Sequence, residues 1–131
     1  MSEAKPKLLF LTTQLPYPPV SGGVIKSWRL VSHWAKKYEL MLLTFLKNDD
    51  ESQVDTFLKN IGAQINFKGF RISRNRNAIN LLLSYLTAPT LNVYRNKLRI
   101  FEQTVKEWCL NADIIFIDHY EMGQYIPKSF N

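Results

Sequence analysis

The residues best suited to chemistry fall in two short stretches. The first, QLPYPPVSGG from Gln14 to Gly23, ends in two adjacent glycines ahead of a helical pattern. With Ser21 as N-cap, Gly22 and Gly23 form the first helical turn, where backbone N–H groups lack intrahelical partners and the helix dipole is positive. With no side chains in the way, a phosphate or carboxylate can approach those donors directly. A tight turn needing positive φ is the other use of such a pair. The stretch is not a P-loop, because no Gly-Lys-Ser/Thr follows and Lys26 comes a turn too late, and it lacks G-x-G-x-x-G. Pro16, Pro18 and Pro19 confine the loop to extended or turn conformations, which suits a site as well as a stiff surface connection.

The second stretch is Asp118-His119-Tyr120-Glu121. A histidine between carboxylates can orient a hydroxyl nucleophile or contact a sugar hydroxyl. Alternatively, Asp118 and His119 cap the following helix or bond loop backbone. His33 lies on the polar side of a helical pattern and reads as a surface residue. The single cysteine, Cys109, allows no internal disulfide, and no His/Cys cluster or carboxylate pair stands out. Neither a metal nor another cofactor is expected.

The elements that must position these residues alternate. KLLFLTT (Lys7 to Thr13) is an apolar run without alternation, as in a parallel strand covered on both faces. From Val24 the period becomes helical, with Val24, Ile25, Trp28, Val31 and Ala35 on one side and Lys26, Arg29, His33 and Lys36 on the other. YELMLLTFL (Tyr38 to Leu46) is the next strand, completing a βαβ unit. NDDES supplies an N-cap for a helix from Glu51 to Asn60 that ends at Gly62. Ala63 to Phe70 reads as a third strand. AINLLLSYL (Ala78 to Leu86) is apolar nearly all round and is broken at Pro89, and a helix over Asn96 to Leu110 follows. ADIIFID (Ala112 to Asp118) is a fourth strand, which leads to a short helix. The expectation is an α/β fold: a Rossmann-like open, mostly parallel sheet with helices on both faces. Ligands of such sheets sit beyond the carboxyl ends of the strands, which puts both chemical stretches on one rim.

With 131 residues, 46% apolar and 21% charged, the chain has the composition of one soluble globular domain. The run LLFL near the N-terminus is too short for a signal segment, so a cytoplasmic location is expected. The net charge of +6 favours an anionic partner such as nucleotide phosphates or acidic lipid. RISRNRN, with Arg71, Arg74 and Arg76, is read as a solvated surface run. Nucleic-acid binding would rest on charge alone, because no aromatic-plus-basic motif spacing accompanies it, and it is not expected. AINLLLSYL cannot span a bilayer. A buried helix or a domain interface is its favoured use, with peripheral contact to the inner membrane face as the alternative. Asn131 comes soon after the fourth strand and its short helix, with no closing helix, so the expectation is the first part of a larger enzyme.

Lys7 to Phe45, with its strand, LPYPP, glycine pair, basic helix start and Leu-Thr-Phe, resembles the opening of family 4 glycosyltransferases of the GT-B fold, related to bacterial polysaccharide sugar transferases. Ala112 to Pro127 is similar to that family's fourth strand and the loop after it. The resemblance implies that residues 1–131 are the acceptor-side N-terminal domain of a retaining glycosyltransferase, inactive without a C-terminal donor-binding domain. The partners implied are a nucleotide-sugar donor and a glycan or lipid-linked acceptor. Gly22 and Gly23 match the pair that approaches the donor diphosphate, and Tyr17, Lys26, His119 and Glu121 become acceptor-binding candidates. His119 is also a catalytic candidate, although the family's catalytic histidine often follows a later strand. The reading from a different class is a non-enzymatic Rossmann-like module that binds a phosphorylated ligand or a protein.

Overall fold

A computed structural model describes residues 3–47, 49–72, 78–87, 93 and 96–130. Arg74, Arg76 and Pro89, singled out in the sequence, lie outside the described residues. The elements run β1 (Lys7–Thr12), α1 (Gly22–Lys37), β2 (Glu39–Leu46), α2 (Glu51–Ile61), β3 (Asn66–Arg71), α3 (Ala78–Thr87), α4 (Arg99–Cys109), β4 (Ile114–Ile117) and a 310 turn (Tyr120–Tyr125). All four strands are parallel, in the order β3-β2-β1-β4. This is the Rossmann-like α/β arrangement that the apolar, non-alternating strands imply.

Alternation along the buried strands divides the core between two faces. Leu8, Phe10, Leu40 and Leu42 point to the face covered by Val31 and Ala35 of α1 and Phe57 and Ile61 of α2. Leu9, Leu11, Leu43 and Phe45 point to the other face, covered by Phe101, Val105 and Cys109 of α4 and by Met122 and Tyr125. Phe101 is fully buried, its ring centroid 4.6 Å from Phe45, 4.7 Å from Tyr125 and 5.3 Å from Phe70. The Tyr125 hydroxyl accepts from Leu98 N–H at 2.8 Å and donates to the Asn96 carbonyl, fastening the start of α4 to the 310 turn. Desolvation by this burial pushes the Tyr125 phenol well above its usual range.

Strand β4 is held at both ends by aspartates. At its amino end the Asp113 carboxylate accepts from Lys7 N–H at 2.8 Å, while Asp113 N–H donates to Lys7 O at 2.9 Å. Asp118, at the other end, bonds its N–H to Leu11 O at 2.9 Å. Between β2 and β3 the sheet leaves no room for a side chain at Gly69, where a Cβ would lie 2.6 Å from Leu46 Cδ1.

Two capping expectations are corrected. Ser21 occupies the N-cap of α1 in extended conformation, but its hydroxyl makes no cap hydrogen bond. Asp50 precedes α2 in helical conformation and does not cap it; its carboxylate accepts from Lys47 N–H at 2.8 Å and closes the preceding turn instead. Gly62 ends α2 as expected, at φ 65°. The other correction concerns α3, which is not a buried helix. Ile79, Leu82, Tyr85 and Leu86 are 61–86% exposed, and among the described side chains neither core cluster includes one from α3.

Candidate functional site

Chain connectivity selects one place on the carboxyl rim. From β1 the chain crosses to β2 and then β3 on one side, whereas β4 returns to pair with β1 on the other. The crossovers therefore diverge between β1 and β4, where a crevice opens in sheets of this kind. The loop from Gln14 to Ser21 leaves β1 at this point, and Asp118-His119 leaves β4 beside it.

The centre of the crevice is the Asp118 carboxylate, whose side chain is fully buried. Oδ1 pairs with Lys26 Nζ at 2.8 Å, an ion pair whose angles fall short of hydrogen-bond geometry, and Lys26 Nζ also lies 3.4 Å from the Asp118 carbonyl. Oδ2 accepts from the Ser27 hydroxyl and, at 3.3 Å, from Thr12 Oγ1. Ser27 Oγ also reaches Gly23 O at 3.0 Å, and Thr12 Oγ1 reaches Gln14 O at 3.4 Å. Each hydroxyl has one proton to give, and the charged carboxylate is the stronger acceptor. One aspartate thus joins the ends of β1 and β4 to the first turns of α1.

This arrangement sharpens the glycine pair. Among the described residues, positive φ occurs at Gly62 only, so Gly22 and Gly23 are not there for an unusual backbone. A Cβ at Gly22 would meet nothing within 4 Å, and one at Gly23 would meet only Gln14 Nε2 at 3.8 Å. The first turn of α1 carries no acidic residue, its N-cap side chain makes no cap bond, and Gly22 and Gly23 are exposed, so solvent or an anion can reach the N–H groups that the helix itself leaves without partners. Lys26 is committed to Asp118, and the pair is close to neutral. Attraction of an anion to this helix mouth therefore rests on backbone donors and the helix dipole.

The remaining sequence candidates divide. Tyr17 packs its ring 5.5 Å from Trp28 and 6.4 Å from Phe57, and its hydroxyl accepts from Asn60 Nδ2 at 3.2 Å. With Leu15 and Pro16 buried beside it, Tyr17 anchors the proline loop onto α1 and α2. His119 sits on the rim with Nδ1 3.5 Å from Asp118 Oδ2, a contact that is an ion pair only when the imidazole is protonated. It holds the N-cap position of the 310 turn without a side-chain cap bond, and its carbonyl accepts from Met122 N–H at 3.0 Å. Glu121 Oε2 is enclosed and has no hydrogen-bond partner among the described residues. Structure therefore brings Gly22, Gly23, Lys26 and His119 together around Asp118 and gives Tyr17 a packing role.

Sequence reading missed Thr12 and Ser27, and it treated Asp118 as an accessory of His119. The signal was present: Ser27, Val31 and Ala35 form the buried stripe of α1, and a small hydroxyl in an apolar stripe asks for a buried acceptor. An open cleft of about 670 Å3, lined by Lys7, Glu39, Asn66 and Trp108, lies at the amino ends of the strands, opposite this rim. Among the described residues no three His, Cys, Asp or Glu side chains converge as a metal site. No protein-family model matches the chain, and neither a curated protein nor a solved structure does.

Proposed function

We propose that the chain is the acceptor-side, Rossmann-like domain of a retaining GT-B glycosyltransferase, with the mouth of α1 contacting the donor diphosphate. The observation that carries this reading is the first turn of α1, opened by two glycines with no cap bond from the Ser21 side chain and held at the β1/β4 crevice by Asp118. A diphosphate gains there from N–H donors already oriented, with no reorganisation on binding. His119 stands on the same rim as a group able to contact a sugar hydroxyl or an acceptor. The second half of the cleft belongs to a donor-binding domain, so this chain alone binds weakly and does not turn over.

The test is an amide NMR titration of the 131-residue chain with uridine diphosphate and adenosine diphosphate. Shifts centred on Gly22, Gly23 and Val24, with a dissociation constant of roughly millimolar order, are expected. Gly22→Val should remove them without changing the fold, since a side chain there meets open space. Shifts centred elsewhere, or none, overturn the diphosphate assignment. Turnover of a nucleotide sugar by these residues alone overturns the half-cleft assignment.

A further inference from the structure

We infer that α3 is a membrane-docking element that inserts into the surface of a bilayer rich in anionic phospholipid. Ile79, Leu81, Leu82, Leu83, Tyr85 and Leu86 are each at least 40% exposed. At 100° per residue their positions span an arc of roughly 200°, about twice the stripe that a helix needs to pack on one protein face. So wide an apolar arc is satisfied by a medium that surrounds the helix, not by a single flat partner. At 1.5 Å per residue the helix is about 15 Å long, half the ~30 Å of a bilayer core, so it can enter one leaflet but not cross. Among the described residues no helix is long and apolar enough to cross a membrane.

Charge selects the lipid. The residues between Asp55 and Glu102 include eight Lys or Arg and not one Asp or Glu, while the rest of the chain has more acids than bases. The whole positive excess of the protein therefore lies in the stretch that carries α3 at its middle. On the described flank Lys97 and Arg99 are exposed, next to Ile100, which is 55% exposed. An apolar helix set between cations complements an anionic headgroup layer over a hydrocarbon interior. Tyr85, at 86% exposure, adds an aromatic ring of the kind that settles at the headgroup boundary.

Co-sedimentation of the 131-residue chain with phosphatidylcholine vesicles, with and without about one third phosphatidylglycerol, tests the inference. Binding is expected to the anionic vesicles only and to weaken as salt rises. The double variant Leu82→Glu/Leu86→Glu should bind about 100-fold or more weakly, and Lys97→Gln/Arg99→Gln about 25-fold more weakly at low salt, near fivefold per charge. All these side chains are exposed, so each variant should keep the wild-type unfolding midpoint, which is measured alongside. Failure of the wild-type chain to sediment with anionic vesicles overturns the inference. Self-association abolished by Leu82→Glu/Leu86→Glu, without lipid binding, also overturns it and assigns α3 to an interface between copies.

Discussion

Replacing Asp118 by alanine tests whether one carboxylate holds the crevice together. The substitution removes the Ser27 and Thr12 hydrogen bonds and the Lys26 ion pair in one step. Hydrogen bonds to a charged group are worth about 1.5–3 kcal/mol each. Part of that sum is offset because the buried charge and its desolvation cost vanish too. Lys26 is half exposed and regains water, and Ser27 keeps Gly23 O as an acceptor, so the orphaned groups cost little. The expected net loss is about 2–4 kcal/mol, read as a lower urea midpoint at unchanged m-value by circular dichroism. Ser27→Ala should cost about 1–2 kcal/mol alone, and the double variant less than the sum, with a coupling of about 1 kcal/mol or more. The amides of Gly22 and Gly23 should also exchange faster with solvent in Asp118→Ala, because the mouth of α1 loses its tie to β4. A loss under about 0.5 kcal/mol for Asp118→Ala, or strict additivity with Ser27→Ala, refutes the role of Asp118 as the tie.

Phe101→Ala removes a ring clamped by Phe45, Phe70 and Tyr125 and should cost about 3–5 kcal/mol in urea unfolding. Gly69→Ala drives a methyl into Leu46 and should cost about 1–3 kcal/mol; Leu46→Ala in the same chain should recover part of that loss. Arg71 grips Glu51 with Nε–Oε1 at 2.5 Å and Nη2–Oε2 at 2.7 Å, and the hydrogen bond holds the Glu51 carboxyl below its usual 4.5. A lowered folded-state value contributes stability above the unfolded value that is lost as pH falls through the folded one. The midpoint difference between wild type and Glu51→Gln should therefore be present at pH 7, shrink below about pH 4.5 and shrink in about 1 M salt, as thermal melts would show.

Secondary structure was legible along the described chain because buried parallel strands and amphipathic helices write different periods. The uninterrupted apolar runs of β1, β2 and β4 and the stripe of α1 locate those elements to within a residue or two. Cap chemistry was less legible. Ser21 and Asp50 are the right residue types in the right places, yet neither side chain bonds the helix it precedes. Asp50 found the nearer donor at Lys47, and a local rule cannot register that competition. The apolar character of α3 was equally plain, but not whether anything covers it, since hydrophobicity states a demand without naming what meets it.

Residue types and order alone establish the rigid proline loop, the bare helix mouth, and an aspartate and histidine at the end of a core strand. They place these features on one rim but do not establish that they touch, because Lys26 and Asp118 are 92 residues apart in the chain. That meeting depends on β4 pairing with β1 and not with β3, a choice made by long-range strand pairing that no local pattern encodes. Once the strands take that order, Thr12 and Asp118 become neighbours and Ser27 comes within reach of both. The glycine pair is then held at the crevice by a charge that sequence spacing had assigned to another purpose.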